Sequence, residues 1–351
     1  MPLLFRLLLL ATLSPVLSGC SLSYYSQSLG GHLNLISAGQ PVDRLIADPA
    51  SDPDLKAQLT EARAIRAFAS ERLALPDNRS YRSYVDTGRE FVTWAVFATP
   101  ELSLEVRTWC FPVVGCVPYR GYFSREEAFR FAQGLADAGD DVYVAGIPAY
   151  STLGWTSDPL LNTMFLRGET YLASVVFHEL SHQVIYVQGD AAFNEAFAVS
   201  VEDSGTVLWL ENKGDEAALR RYRLAQRRNA DFQDLVAETR AELQAIYTGD
   251  RSNADKRAQK RAAIERLRTR YRRLKARKWG GYCGYDAWFS EPINNAKLAT
   301  IAVYNDLEPA FSRLLELCDG DYQRYYSAVR RIGRLGAAQR REALAKATRC
   351  G

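Results

Sequence analysis

Two histidines lie four residues apart in the run His178-Glu-Leu-Ser-His182, and a glutamate follows the first of them. Residues i and i+4 of a helix share one face, so both imidazoles can point at one metal ion. The chain has only three histidines, and two of the three form this pair. Zinc accepts imidazole nitrogen, and a catalytic zinc site takes three protein ligands and keeps a fourth position for water. The spacing therefore predicts a catalytic metal site.

Glu179 has a different expected role, because it lies beside the metal rather than on it. Zinc lowers the pKa of a water molecule that it binds to about 7. A carboxylate at this place can take a proton from that water and pass it to a leaving amine. Two histidines with this glutamate are typical of a zinc peptidase helix. We therefore predict metal-assisted hydrolysis of a peptide bond, with Glu179 as general base.

Apolar side chains surround the motif on nearly every side of the predicted helix, which indicates a buried helix. They are Tyr171, Leu172, Val175, Val176, Phe177, Leu180, Val184 and Ile185. Unpaired polar groups in such a helix are costly, and a metal ion gives them a partner.

Two downstream glutamates compete for the third ligand position. Glu195 follows Asn194, and Glu202 lies seven residues later on the same helix face. Twelve residues separate His182 from Glu195, so the chain must turn back quickly, and Gly189-Asp190 is a suitable turn pair. From the residues alone, both glutamates remain candidates for the third metal ligand.

The motifs resemble those of the gluzincin class of zinc metallopeptidases. The run Asn194-Glu-Ala-Phe-Ala198 is similar to the N-E-x-F-A segment of the aminopeptidase branch, in which the glutamate binds zinc. The chain also resembles a family of bacterial proteins described as predicted aminopeptidases. That resemblance covers residues 109–123, 148–155, the histidine motif and 294–298.

The resemblance implies a gluzincin-like catalytic domain in which His178, His182 and Glu195 bind zinc. Glu202 would then orient a ligand histidine through its free ring nitrogen. Gluzincins often stabilise the oxyanion with a downstream tyrosine or histidine. No histidine follows the motif, so we expect Tyr304 in that role, with Tyr150 as the alternative.

Residues 1–19 have the features of a bacterial lipoprotein signal. Arg6 precedes a short apolar run, Leu7 to Leu13, which is too short to span a membrane. The run Leu17-Ser-Gly-Cys20 matches a lipobox, in which Cys20 is lipidated and becomes the first residue. We therefore expect a lipid-anchored protein of the bacterial cell envelope, on the outer membrane and facing the periplasm.

Such a compartment permits disulfide bonds. Cys110 and Cys116 are close enough in the chain to close a small loop, and Cys318 could tie Cys350 to the body. Cys283 is then left over.

The composition is that of an ordinary globular protein with a net charge of +3, and nothing in it suggests nucleic acid as a partner. We predict an α+β fold with a small mixed or antiparallel sheet. A lipid-anchored, irregular linker is expected at 20–54, with His32 incidental, and a peptidase core at 55–210. A charged helical hairpin follows at 211–278, and a helical C-terminal part at 279–351 closes the active site.

Within the core, we expect helices at 55–74 and 124–138 and strands at 81–106 and 142–144. Residues 149–154 are either an edge strand that pairs with an extended peptide or an ordinary loop or core strand.

The second helix of the hairpin is strongly basic. It either contacts anionic lipid headgroups or pairs with acidic residues of the first helix. In the C-terminal part, Asn294-Asn-Ala296 is expected to face the catalytic domain.

Taken together, the sequence predicts a zinc-dependent peptidase acting on peptides or unfolded proteins, with an aminopeptidase as the expected form. The alternatives are an envelope endopeptidase and a non-catalytic, metal-binding assembly lipoprotein. A structural zinc site has four protein ligands, so a fourth ligand would favour the last.

Overall fold

A computed structural model of the chain describes residues 19–111, 115–302 and 307–350. The predicted α+β class is confirmed, and helices dominate. The strands are β1 Gln40–Pro41, β2 Ser83–Val85, β3 Thr93–Pro100, β4 Trp109–Phe111, β5 Gly115–Val117, β6 Arg120–Tyr122, β7 Asp140–Ile147 and β8 Leu160–Leu161. The helices are α1 Gly19–Ser37, α2 Val42–Ala47, α3 Pro53–Glu71, α4 Arg125–Asp137, α5 Asn162–Phe165, α6 Glu169–Ser181, α7 Ala191–Lys213, α8 Glu216–Thr248, α9 Asn253–Arg277, α10 Asp286–Ser290, α11 Asn295–Ala302, α12 Glu308–Leu317, α13 Tyr322–Gly333 and α14 Ala337–Ala345.

Strand β3 is the centre of an antiparallel sheet with the order β6-β3-β7. Its apolar residues alternate between two faces, as the period of a strand requires. Trp94 and Val96 pack in the cluster that includes α4, whereas Ala95 and Phe97 pack with Ala296 of α11. Both faces are covered, so β3 has a continuous apolar sequence. A second, mixed sheet has the order β1-β2-β8, and β4 pairs with β5 as a separate hairpin.

Helices α6 and α7 lie at the centre of the largest apolar core. They approach closely at Gly205 of α7, where an added Cβ would lie 2.6 Å from Cδ1 of Leu73 and 3.0 Å from Cδ2 of Phe177. The C-terminal helices cover α7 from another side. The ring of Phe311 lies 5.0 Å from the ring of Phe193, and Tyr325 hydrogen-bonds Ser200 at 2.7 Å.

Helices α8 and α9 form the predicted charged hairpin, with its own apolar core. Arg266 and Arg270 of α9 both contact Glu242 of α8. Other basic residues of α9 reach acids of the body, among them Lys260, whose Nζ lies 2.6 Å from Oδ2 of Asp141. These pairs favour the interpretation of α9 as a charge-paired helix, while contact with lipid headgroups stays a prediction.

The prediction of an irregular linker at residues 20–54 is wrong, because this segment contains α1, β1 and α2. Glycine and serine disfavour an isolated helix, but tertiary packing outweighs this preference. A Cβ at Gly31 would lie 2.2 Å from Cγ of Phe123, so only glycine lets α1 approach so closely. His32 is not incidental either, since its Nδ1 lies 3.2 Å from the hydroxyl of Tyr150.

Residues 149–154 form a loop and not an edge strand, since β7 ends at Ile147. The carboxylate of Asp158 accepts hydrogen bonds from the backbone N–H of Thr152 at 3.0 Å and from its hydroxyl at 2.6 Å. Leu153 and Gly154 then adopt left-handed conformations, with φ of 57° and 83°. These turn interactions outweigh the apolar residues that suggested a strand.

Both predicted disulfide bonds are present, Cys110–Cys116 and Cys318–Cys350, and Cys283 is free and exposed. The predicted signal at residues 1–19 lies outside the described residues except for Gly19. In the described part of the chain, no helix is both long and apolar enough to span a bilayer.

Candidate metal centre

Helix α6 brings the two histidines of the motif together. The helix ends at Ser181, and His182 is its C-cap with φ −61° and ψ −21°, so the helical path continues through the second histidine. The Nε2 atoms of His178 and His182 lie 3.2 Å apart. Two imidazole nitrogens at this distance need a proton or a cation between them, because two lone pairs repel each other.

The short connection to α7 is closed by side chains. Asp190 caps α7, accepting a hydrogen bond from the N–H of Phe193 at 3.2 Å. The amide of Asn194, which is 1% exposed, bonds both backbone groups of Val187. Its Oδ1 accepts from the N–H and its Nδ2 donates to the carbonyl, each at 2.8 Å. Asn194 therefore holds the loop that lets Glu195 return to the histidines after only twelve intervening residues.

Glu195 completes the cluster. Its Oε2 lies 3.3 Å from Nε2 of His178, and its Oε1 lies 3.8 Å from Nε2 of His182. In a tetrahedral zinc site the ligand atoms lie roughly 3.3 Å apart, so these distances fit zinc without rearrangement of the backbone. Among the described residues, the group of possible metal ligands contains these three side chains and no fourth. Such a set leaves an open coordination position.

Glu202 binds the other side of the first histidine. Its Oε2 lies 3.0 Å from Nδ1 of His178, so Nδ1 carries the proton and Nε2 points toward Glu195. The equivalent Nδ1 of His182 is buried and has no hydrogen-bond partner among the described residues. The structure thus places Glu195 inside the cluster and Glu202 behind it.

Burial and charge set the protonation of the cluster. Burial lowers the pKa of His182 to about 4, which keeps it in the neutral form that binds metals. Burial also opposes charge on His178, but hydrogen bonds with Glu195 and Glu202 raise its pKa well above 6.5. The same contact with His178 outweighs burial at Glu195 and lowers its pKa. A metal ion would displace the proton that these groups share.

Glu179 lies beside the cluster, and its pKa is raised from 4.5 to about 7. Burial is the main cause, with His178 opposing the rise and Glu195 and Asp158 reinforcing it. A carboxyl group with a pKa near 7 both takes and gives a proton at neutral pH.

Tyr119, between β5 and β6, was not predicted as a site residue. Burial raises its pKa, and the carboxylates of Glu195 and Glu179 raise it further, so the phenol lies near both. Its ring packs on Phe97 at 5.6 Å between centroids. Its only sequence signal is its position in the stretch 109–123 that carries the family resemblance.

The disulfide-closed hairpin β4–β5 explains how Tyr119 reaches the cluster. A Cβ at Gly115 would lie 2.7 Å from Cγ of Gln188 and 2.9 Å from the nitrogen of Gly189. The hairpin therefore rests on the loop between the two metal helices. Tyr186 belongs to the same loop, and its ring lies 6.5 Å from the ring of His182.

Of the two predicted oxyanion tyrosines, Tyr150 alone lies within the described residues. Tyr304 lies outside the described residues. The hydroxyl of Tyr150 contacts His32, and no hydrogen bond in the described part of the chain links it to the ligand group. Burial raises the pKa of Tyr150 to about 12.

Asn294 and Asn295 face the catalytic domain, as predicted, and both contact β7. Asn294 donates to the carbonyl of Val142 at 2.9 Å, and the backbone N–H of Asn295 donates to Asp141 at 2.8 Å. Ala296 is fully buried against the sheet. These contacts fix β7 and α11 relative to each other.

Comparison with known proteins agrees with this site at the level of the family. No curated protein and no solved structure matches the chain. One family model does match, over residues 23–344, and it is described as "Putative aminopeptidase". Since this match covers most of the chain, the protein belongs to that family.

Proposed function

We propose that the protein is a zinc-dependent peptidase and that His178, His182 and Glu195 hold the ion. The observation that carries this proposal is the convergence of three ligand atoms within 4.8 Å of one another, with Glu179 beside them. The open fourth position favours a catalytic site over a structural one.

Zinc held by His178, His182 and Glu195 would supply a water molecule with a pKa near neutrality and would polarise the carbonyl oxygen of the scissile bond. Glu179 would accept a proton from that water and deliver it to the leaving amine. Glu202 holds the ring of His178 so that Nε2 points toward Glu195. We assign to Tyr119 the donation of a hydrogen bond to the carbonyl oxygen of the scissile bond, which becomes negative during hydrolysis. Tyr304, predicted from the sequence, is the other candidate for this role.

The family supports the form of the activity that we propose, and the N-terminal sequence supports its location. Membership of an aminopeptidase family supports removal of N-terminal residues, and an endopeptidase is the competing form. Leu17-Ser-Gly-Cys20 supports lipid attachment at Cys20 and work in the bacterial envelope, on peptides or unfolded proteins.

The test is cleavage of a mixed peptide library by the purified full chain, with and without added zinc after treatment with a chelator. We expect zinc-dependent cleavage, which Glu179→Gln abolishes while zinc remains bound. Glu216→Gln changes an exposed glutamate on α8 and serves as the matched control, with full activity expected. The cut positions separate trimming from internal cleavage.

Two results would overturn the proposal. One is a purified chain that binds no stoichiometric zinc. The other is equal cleavage by the parent chain and Glu179→Gln.

A further inference from the structure

Helix α1 contains no charged residue and exposes one apolar face. Between Arg6 and Asp43 the sequence has no Asp, Glu, Lys or Arg. The side chains of Tyr25, Leu29 and Leu33 are 49%, 60% and 56% exposed. They are four residues apart, so they form one stripe along the helix. We call these three residues the apolar stripe.

The opposite face of α1 is fixed to the body. Leu35 is buried in the main core, and Oε1 of Gln27 accepts the backbone N–H of Phe123 at 2.9 Å. Tyr24 lies under the guanidinium of Arg120, with 4.0 Å from Cζ to the ring centroid. The helix is therefore part of the folded body, and its stripe faces outward in a defined direction.

The predicted lipid attachment site lies in the first turn of the same helix. Cys20 follows Gly19, at which α1 begins. Tyr25 comes five residues later, which is about 8 Å along a helix axis. A lipidated Cys20 would thus be joined to the body by helix and not by a flexible spacer. The bilayer would then lie within about 10 Å of the stripe. Lipid would therefore have a higher effective concentration at the stripe than any other apolar partner.

We propose that α1 lies in the membrane interface and buries the apolar stripe among lipid acyl chains. The body is then held against the bilayer in one orientation, rather than on a stalk. Because α1 has no charged residue, it can approach the acyl chains without removing an ion from water. The proposal rests on lipid attachment at Cys20, and it does not depend on peptidase activity.

The test uses tryptophan quenching by bromine in the bilayer. The full lipidated chain is reconstituted in phosphatidylethanolamine–phosphatidylglycerol vesicles, with and without bromine on the acyl chains. Tryptophan is introduced by Leu29→Trp, and the parent chain gives the signal of its six native tryptophans. Leu166→Trp is the matched control, since Leu166 is 61% exposed and Leu29 is 60% exposed.

We expect bromine to quench more than half of the added fluorescence of Leu29→Trp and almost none of that of Leu166→Trp. Both positions are exposed, so both variants should fold, and circular dichroism checks this. Vesicle flotation and peptide cleavage are measured on the same samples, so the anchor, the orientation and the activity are tested separately.

Three results would overturn the proposal. Unquenched Leu29→Trp on protein that floats with vesicles would show that α1 faces water. Unquenched, blue-shifted emission together with a doubled mass in cross-linking would show that a second copy covers the stripe. Protein that does not float lacks the lipid anchor, and the proposal falls with it, whatever the cleavage assay shows.

Discussion

Glu179 should make the metal-free protein less stable as the pH rises. The fold raises the pKa of this carboxyl from 4.5 to about 7, mainly through burial. Between these two values the folded chain keeps a proton that the unfolded chain has released. Stability rises with pH only where the unfolded state binds more protons, so here it falls.

The size of the effect follows from the same two pKa values. A rise from 4.5 to about 7 corresponds to up to about 3 kcal/mol at pH 8 and to less than about 1 kcal/mol at pH 5. Glu179→Gln removes the charge and keeps the shape. With a chelator present, the variant should therefore have the larger free energy of unfolding at pH 8, and the two proteins should nearly agree at pH 5.

The assay is urea unfolding followed by circular dichroism at both pH values, with Glu216→Gln as the exposed control. Added zinc should shrink the difference, because a nearby cation lowers the pKa of the carboxyl. Equal free energies of unfolding at pH 8, with the metal removed, would refute the reasoning about burial of Glu179.

Three other changes test separate parts of the structure. Glu202→Gln should weaken zinc binding about 10- to 100-fold in a competition titration, and unchanged affinity would contradict its orienting role. Cys318→Ser should lower the free energy of unfolding by about 4 kcal/mol and Cys110→Ser by about 2 kcal/mol. The first disulfide joins residues 32 positions apart and the second joins residues 6 positions apart, and the longer loop gives the larger effect. A larger loss of stability for Cys110→Ser in urea unfolding would contradict this. Gly205→Ala should destabilise by about 1–3 kcal/mol because of the contact with Leu73, whereas a stabilised variant would show that helix propensity wins.

The sequence predicted what depends on local spacing. The i, i+4 pair of histidines, the turn at Gly189-Asp190 before Glu195 and the charged helical hairpin all follow from residues close in the chain. The α+β class follows as well, because the run of β-branched and aromatic residues in the β3 segment favours a strand over a helix.

The sequence did not predict what depends on distant contacts. Nothing near Tyr119 indicates that a hairpin will rest on Gly189, about seventy residues later. The composition of residues 20–37 disfavours a helix, and α1 is held there by distant contacts such as the close approach of Gly31 to Phe123 and the burial of Leu35 in the main core. Asn194 was identified by resemblance alone, and its hydrogen bonds to Val187 give the physical reason for that residue.

Asp190, which caps the helix that carries Glu195, is held by a residue near the C-terminus. The guanidinium of Arg340 on α14 bonds Oδ2 of Asp190 through Nη2 at 2.6 Å and through Nε at 2.9 Å. The two residues are 150 positions apart, so this contact closes a long loop of the chain. The ligands are neighbours in the sequence, yet the cap of the helix that bears the third of them depends on the docking of the C-terminal end of the chain.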